Sequence, residues 1–137
     1  MRGALETFAE HGFAGCSMRD VARKARIRVS SLYHYFASKE ALFQEILDKM
    51  SDEMREIVLS VMSKGLDLRE LTRESTGKFF DFFLANPAYV RLGLHNRANG
   101  ETPIDRSILG RGLDDPEILR RAREHVIQVV LRTVGLE

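Results

Sequence analysis

The stretch SMRDVARKARIRVSSLYHYFASKEAL, residues 17–42, is the most informative part of the chain, because its apolar residues recur with the period of short helices. Ser17 is a good N-cap, and Asp20 at the third helical position completes a variant capping box. After a short turn, Leu32 and Phe36 stack on one face of a second short helix. Two such helices form a helix-turn-helix, whose second helix can enter the major groove of DNA.

The same stretch concentrates positive charge. Between residues 17 and 39, six basic residues accompany one acid, a net charge of +5, whereas the whole chain carries +1. Such a local excess is the electrostatic footprint of a surface that binds a polyanion. By itself, a basic helical pair is more often a solvated face, and outward aromatic rings would also suit a protein–protein contact.

Outward positions of the second short helix, residues 29–36, are the first candidates for binding. With Leu32 and Phe36 facing inward, the helix leaves small hydroxyls, aromatic rings and an imidazole outside. Hydroxyls and backbone N–H groups at a helix start suit phosphate oxygens, while Tyr and His can reach phosphates or base edges. These outward residues are Val29, Ser30, Ser31, Tyr33 and His34, with Tyr35 at the boundary and Lys39 in the first turn of the following helix.

Composition excludes several other classes of protein. The single cysteine, Cys16, cannot form an internal disulfide, and the four histidines stand far apart, so neither a metal site nor a cofactor is expected. The sequence contains neither a readable Ser/His/Asp arrangement nor a glycine-rich phosphate loop, so nothing in it indicates an enzyme. Without an apolar run of roughly 20 residues or a secretory leader, we predict a cytoplasmic protein with no membrane partner.

Helical periodicity continues through nearly the whole chain, which predicts an all-α protein. Three short helices form a head, a long helix begins after Ser38 and reaches about Met62, and further helices follow at about 68–84, 87–98 and 116–134. Residues 99–114 are predicted to form a loop. The predicted domains are a helix-turn-helix head over residues 1–45 and a helical regulatory body over residues 46–137.

The segment LETFAEHGFAGCSMRDVARKARIRVSSLYHYFASKEALFQEIL, residues 5–47, resembles the DNA-binding domain of the TetR/AcrR family of bacterial transcriptional regulators. The matching features are FAEHGF, DVA..A and, above all, LYHYFASKEAL, which is similar to the family signature LYxxFxxKxxL. The resemblance implies a homodimeric repressor that binds a palindromic operator in double-stranded DNA. It also implies release of the operator when a small apolar or amphipathic effector enters the body.

Carried over position by position, the resemblance assigns the DNA contacts. They fall on Ser17, Arg19, Arg28, Val29, Ser30, Ser31, Tyr33, His34, Tyr35 and Lys39.

Three positions depart from the family pattern. Arg26 stands where a turn glycine is usual, and Arg28 stands where a hydroxyl cap is usual. In a left-handed turn Arg26 would cost about 1 kcal/mol relative to glycine, although both arginines could compensate by touching phosphates. Val29 replaces a commonly polar residue, so it would contact a thymine methyl group or nothing.

An aromatic segment in the body, residues 78–100, allows two interpretations. Its four phenylalanines cover most of a helix circumference, which favours a core or a dimer surface. The alternative is an apolar ligand cavity, for which the candidates are Phe79, Phe83, Tyr89 and His95. For His95 a hydrogen-bonded core histidine is the competing interpretation.

The resemblance also sets an expectation about extent. Family members usually carry two more long helices that form the dimer bundle, so the body is predicted to be incomplete at its C-terminal end, or the chain to be a shortened member. A rival function from another class is a protein-interaction module that has lost DNA binding and pairs with a related regulator. Arg26, Arg28 and the missing segments favour this rival slightly.

Overall fold

The computed structural model describes residues 1–96 and 115–136, apart from the side chains of residues 94–96. Within these residues the chain forms seven α-helices and no strand, which confirms the predicted all-α class. The helices are α1 (Arg2–His11), α2 (Met18–Ala25), α3 (Val29–Tyr35), α4 (Lys39–Met62), α5 (Leu68–Ala85), α6 (Pro87–Asn96) and α7 (Pro116–Thr133).

Side-chain caps begin three of these helices where the sequence predicts them. Ser17 and Asp20 form the capping box of α2, because the hydroxyl accepts from the Asp20 amide and the carboxylate accepts from the Ser17 amide. At the start of α4 the Ser38 hydroxyl accepts from the amide of Ala41, and at α7 the Asp115 carboxylate accepts from two first-turn amides. Local chemistry therefore fixes these boundaries.

Two predicted features lie at or beyond the C-terminal end of α6. Helix α6 runs to Asn96, and its predicted continuation to residue 98 lies outside the described residues. The loop predicted over residues 99–114 lies outside them as well.

The helices belong to two compact units. The first contains α1, α2, α3, α4 up to Glu53, and α6; the second contains α4 from Met54, α5 and α7. The domain boundary predicted after residue 45 remains a prediction.

In the first unit, α1 packs against α2 and α6, and α2 packs against α3. Phe8 of α1 is fully buried, as are Leu42 and Ile46 of α4. The Phe8 ring meets the Phe43 ring edge-on at 5.1 Å between centroids, and Phe13 meets Phe43 in the same way at 4.9 Å. This apolar and aromatic core holds the three short helices against the beginning of α4.

Helices α1 and α2 approach closely at Gly3 and Ala25. A Cβ atom on Gly3 would lie 3.1 Å from the Cα atom of Ala25, which is tighter than ordinary packing. Ala22 is buried, whereas Ala25 is exposed to solvent and its close neighbour is α1.

In the second unit α5 packs against α7, with Ile127 and Leu131 buried. Arg123 of α7 donates through Nε and a terminal nitrogen to both carboxylate oxygens of Asp81 on α5, at 3.0 and 3.2 Å. Its guanidinium lies where a Cβ atom on Gly77 would be, so the glycine makes room for this pair. No helix in the described parts of the chain is long and apolar enough to cross a membrane.

Candidate nucleic-acid interface

Helix α3 offers a polar and aromatic surface to solvent. Tyr33 is 52% exposed and Tyr35 is 77% exposed, and Ser30, Ser31 and His34 are exposed beside them. The His34 ring packs edge-on against the Tyr35 ring at 5.3 Å, which gives the two side chains a shared orientation. Such groups can donate to phosphate oxygens or reach base edges without disturbing the core.

Arg28 and Val29 begin this helix. Arg28 is the N-cap residue and is exposed, and its side chain makes no capping hydrogen bond to α3, as its departure from a hydroxyl predicts. Val29 is half-buried. The first amides of α3 therefore lack the side-chain acceptor that Ser or Thr would supply.

The N-terminal end of α2 is organised by Ser17 and Asp20. Oxygen Oδ2 of Asp20 accepts from the Ser17 hydroxyl at 2.6 Å and from the Ser17 amide at 2.9 Å. These hydrogen bonds, with a smaller contribution from Arg23, hold the pKa of the Asp20 carboxyl below its usual value. The Ser17 hydroxyl proton is thus committed within the protein. The side chain of Arg19 is exposed beside this end of α2.

The basic side chains of this region divide into two groups. Arg23 pairs with Asp20 at 3.1 Å, and Lys24 pairs with Glu10 at 2.7 Å. By contrast Arg19, Arg26 and Arg28 are exposed, and none of the three pairs with a carboxylate of the described residues. Three guanidinium groups are therefore available to an anion near α2 and α3.

The turn between α2 and α3 passes through Arg26 in the left-handed conformation, with φ 56° and ψ 39°. Arg26 is the one non-glycine residue with positive φ among residues 1–96 and 115–136. The turn closes with hydrogen bonds from the Arg26 amide to the Arg23 carbonyl and from the Ile27 amide to the Ala22 carbonyl. Arg26 therefore adopts the left-handed conformation that costs a residue with a Cβ atom free energy relative to glycine.

Lys39 has contacts of a different kind from those of the other candidates. Its Nζ donates to the carbonyl oxygens of Phe13 at 2.8 Å and Cys16 at 3.1 Å, and lies 4.3 Å from the centre of the Phe13 ring. The side chain is half-buried. Two of its three N–H donors are used inside the protein, so a direct DNA contact by Lys39 remains a prediction.

The structure adds Ile27 to this surface, a residue for which the sequence suggests no DNA contact, and it exposes Arg26, which the sequence suggests only as a phosphate contact. Arg26 and Ile27 are both exposed in the turn between α2 and α3. The signal for Arg26 was its place in a glycine position, whereas apolar periodicity gives no reason to expect Ile27 outside.

The candidate ligand-binding residues fall in both compact units. Phe79 and Phe83 of α5 are half-buried in the second unit, and Tyr89 of α6 is buried in the first. Burial raises the pKa of the Tyr89 hydroxyl, with a further contribution from the charge of Glu53. The side chain of His95 lies outside the described residues. A role of these residues in ligand binding remains a prediction.

A polar groove of about 380 Å³ lies beside α1 and α2. It is lined by Thr7, Glu10, His11, Asp20, Arg23, Lys24 and Arg26. The ion pairs Glu10–Lys24 and Asp20–Arg23 neutralise much of its charge, so it is a poor anion site. Among the described residues, no cluster of His, Cys, Asp and Glu could hold a metal ion.

Comparison with known proteins identifies relatives of this chain. Residues 1–46 match the family of bacterial regulatory proteins named the tetR family. The transcriptional repressor KstR2 of Rhodococcus jostii is 39% identical over 66 residues, which cover 48% of this chain and 32% of that protein. The transcriptional repressor NicS of Pseudomonas putida is 24% identical over 105 residues, which cover 71% of this chain and 50% of that protein.

Solved structures share the fold over almost the whole chain. A TetR family transcription regulator from Marinobacter aquaeolei VT8 aligns with a TM-score of 0.63 and 24% identity, covering 98% of this chain and 63% of that one. A TetR-like transcriptional regulator from Rhodococcus sp. RHA1 aligns with a TM-score of 0.61 and 22% identity, covering 98% and 81%. The matched proteins are transcription regulators and not enzymes, and the chain spans about a third to a half of the length of the curated relatives.

Proposed function

We propose that the chain is a DNA-binding transcriptional regulator of the tetR family, because residues 1–46 match that family of bacterial regulatory proteins. The observation that carries the proposal is the surface of α3. Tyr33 and Tyr35 are held out to solvent by a helix whose Leu32 is buried, and the exposed Arg19, Arg26 and Arg28 lie in α2, in the turn and at the start of α3. Two relatives are named as transcriptional repressors, which favours repression over activation.

In this proposal α3 enters the major groove and the unpaired arginines fix its register on the phosphates. Arg19, Arg26 and Arg28 supply charge without sequence information, while residues of α3 meet base edges. Two copies of the chain place two α3 helices about 34 Å apart, one helical turn of DNA, on a palindromic operator in the cytoplasm.

Control by a small apolar or amphipathic effector is the second part of the proposal. Such a ligand would act by binding the body more tightly in a state whose α3 spacing does not fit the operator. A ligand with equal affinity for both states would shift nothing. Phe79, Phe83, Tyr89 and His95 are the residues proposed to line its site.

Selection of bound sequences from a random duplex pool, repeated at two salt concentrations, tests the proposal. We expect an enriched palindrome, with affinity that falls steeply as salt rises, because the arginines release counterions from the phosphates. Enrichment of a single half-site would contradict the dimer but not the DNA-binding head. No enrichment by a folded chain would instead support the interaction module, which mixing with related regulators would reveal as heterodimers.

A further inference from the structure

We propose that Lys39 is a positioning residue for DNA binding, which clamps the segment between α1 and α2 onto the first turn of α4. The inference rests on the proposed DNA-binding function and adds a residue that acts through others. In this role Lys39 fixes the direction in which the backbone enters α2. That direction in turn places Arg19 and the first amides of α2.

The contacts of Lys39 reach far back along the chain. As the first residue of α4, it donates to the carbonyls of Phe13 and Cys16, which lie 26 and 23 positions earlier, at 2.8 and 3.1 Å. Its ammonium also lies 4.3 Å from the centre of the Phe13 ring, within the range of a cation–π interaction. One side chain therefore holds both the backbone and the ring of this segment.

The Phe13 ring gives the clamp a second attachment. It stacks with Phe8 of α1 at 6.0 Å and meets Phe43 of α4 at 4.9 Å. Phe43 lies one helical turn after Lys39, so the ring and the carbonyl of Phe13 are both fixed to the same end of α4. Movement of this segment relative to α4 must break the aromatic contacts and the hydrogen bonds together.

The peptide group between Cys16 and Ser17 links the clamp to α2. Its carbonyl oxygen accepts from Lys39, and its N–H donates to the Asp20 carboxylate at 2.9 Å. A peptide group is planar, so fixing both of its polar atoms fixes the orientation of the backbone that enters α2. Lys39 therefore holds the C=O of this peptide group, and the capping box holds its N–H at the opposite edge of the same plane.

A direct phosphate contact by Lys39 makes a different prediction from a positioning role. Each neutralised phosphate contributes about 0.9 to the slope of log affinity against log salt concentration. Loss of a phosphate contact by Lys39 lowers that slope and leaves the hydrogen bonds at the start of α2 intact, whereas misplacement of α2 loosens those hydrogen bonds as well. Hydrogen exchange of the Ser17 amide reports on the clamp itself, because that N–H belongs to the peptide group Lys39 holds.

The test compares the wild-type chain with Lys39→Met, which keeps the apolar stem and removes the donors. The matched control is Lys49→Met, the same chemical change at an exposed lysine of the same helix. For Lys39→Met we expect at least a tenfold loss of affinity for the selected DNA together with at least tenfold faster exchange of the Ser17 amide. For Lys49→Met we expect less than a threefold change in affinity and exchange. Should Lys39→Met fail to fold, Lys39→Gln, which keeps an N–H donor and loses the charge, is expected to keep part of the protection of the Ser17 amide and a matching part of the DNA affinity.

Three results would overturn the inference. A slope lowered by about 0.9 with unchanged Ser17 exchange would make Lys39 a phosphate contact. Faster exchange with unchanged affinity would leave it a structural clamp without influence on DNA. If the wild-type chain bound no DNA, the proposed function would fail as well, and the exchange measurement alone would show whether the clamp exists.

Discussion

Leu32 and Tyr33 are neighbours on α3 with opposite environments, since Leu32 is 5% exposed and Tyr33 is 52% exposed. Successive residues of an α-helix point about 100° apart, so a buried anchor at Leu32 turns the next side chain towards solvent. The anchor depends on the contact between α2 and α3. The orientation of the proposed reading surface is therefore set by core packing.

The first prediction concerns Tyr33→Ala. We expect affinity for the selected DNA to fall roughly tenfold or more, the effect of losing one hydrogen bond to a charged group. The free energy of unfolding should change by no more than about 0.5 kcal/mol, because the side chain lies on the surface. Fluorescence anisotropy and urea titration measure the two quantities.

The control for Tyr33→Ala is Leu59→Ala. Leu59 has the same exposed fraction, 52%, and belongs to the second unit, which contains none of the proposed DNA-contacting residues. Its truncation should leave DNA affinity unchanged. Equal affinities for wild type and Tyr33→Ala would remove Tyr33 from the proposed surface.

The second prediction separates the two roles of Arg26. Arg26→Gly should raise the free energy of unfolding by about 1 kcal/mol, because glycine adopts positive φ without steric cost. The same change should lower the salt slope of DNA binding by about 0.9 through loss of a phosphate contact. Arg26→Ala is the matched variant, since it loses the charge but keeps a Cβ atom; it should lower the slope without the gain in stability. An unchanged slope in both variants would show that Arg26 does not touch DNA.

The third prediction concerns the uncapped start of α3. Arg28→Ser should stabilise the protein by about 1 kcal/mol, because its hydroxyl can accept from an amide of the first helical turn. DNA affinity should fall, since a guanidinium available to phosphate is lost. Arg28→Ala should lose DNA affinity without the gain in stability. Thermal and urea unfolding measure the stability, and binding titrations measure the affinity. Equal stability of the Ser and Ala variants would argue against a vacant cap at this position.

The fourth prediction links the capping box to pH. Ser17→Ala should lower the free energy of unfolding by about 1 kcal/mol at neutral pH. The pKa of Asp20 is lowered in the folded state, so its contribution is present above its unfolded pKa and is lost as the pH falls through the folded pKa. The difference between wild type and Ser17→Ala should therefore shrink below about pH 4.

Urea titrations at several pH values measure this difference. Asp20→Asn is the control, because it removes the titrating group and should abolish the acid-dependent part of the Ser17 effect. A Ser17→Ala difference that stays constant from pH 7 into acid would contradict the proposed partnership.

Most helix boundaries could be predicted from the sequence because local chemistry sets them. Ser17 with Asp20, Ser38 and Asp115 each place an acceptor beside amides only two or three residues ahead. The exposure of Tyr33 and the strain at Arg26 followed from helical periodicity and from a non-glycine residue in a tight turn. Relationships of this kind need no knowledge of distant parts of the chain.

The inward contacts of Lys39 could not be predicted in that way. Its acceptors are the backbone carbonyls of Phe13 and Cys16, and every residue has a carbonyl, so the residue types carry no signal. The close approach of Ala25 to Gly3 is equally non-local. The sequence pattern placed Lys39 at the proposed surface, whereas the packing of the segment between α1 and α2 against α4 determines what its ammonium group binds.

The most direct test of the central claim, that two α3 helices bind DNA one helical turn apart, is to change the spacing of the selected operator. Affinity is measured for the operator and for the same sequence with about five base pairs, half a helical turn, inserted between the half-sites. We predict that binding to the lengthened operator falls towards the non-specific level, roughly a thousandfold weaker. The second α3 would then face the opposite side of the duplex. Equal affinity for the two operators would contradict the claim.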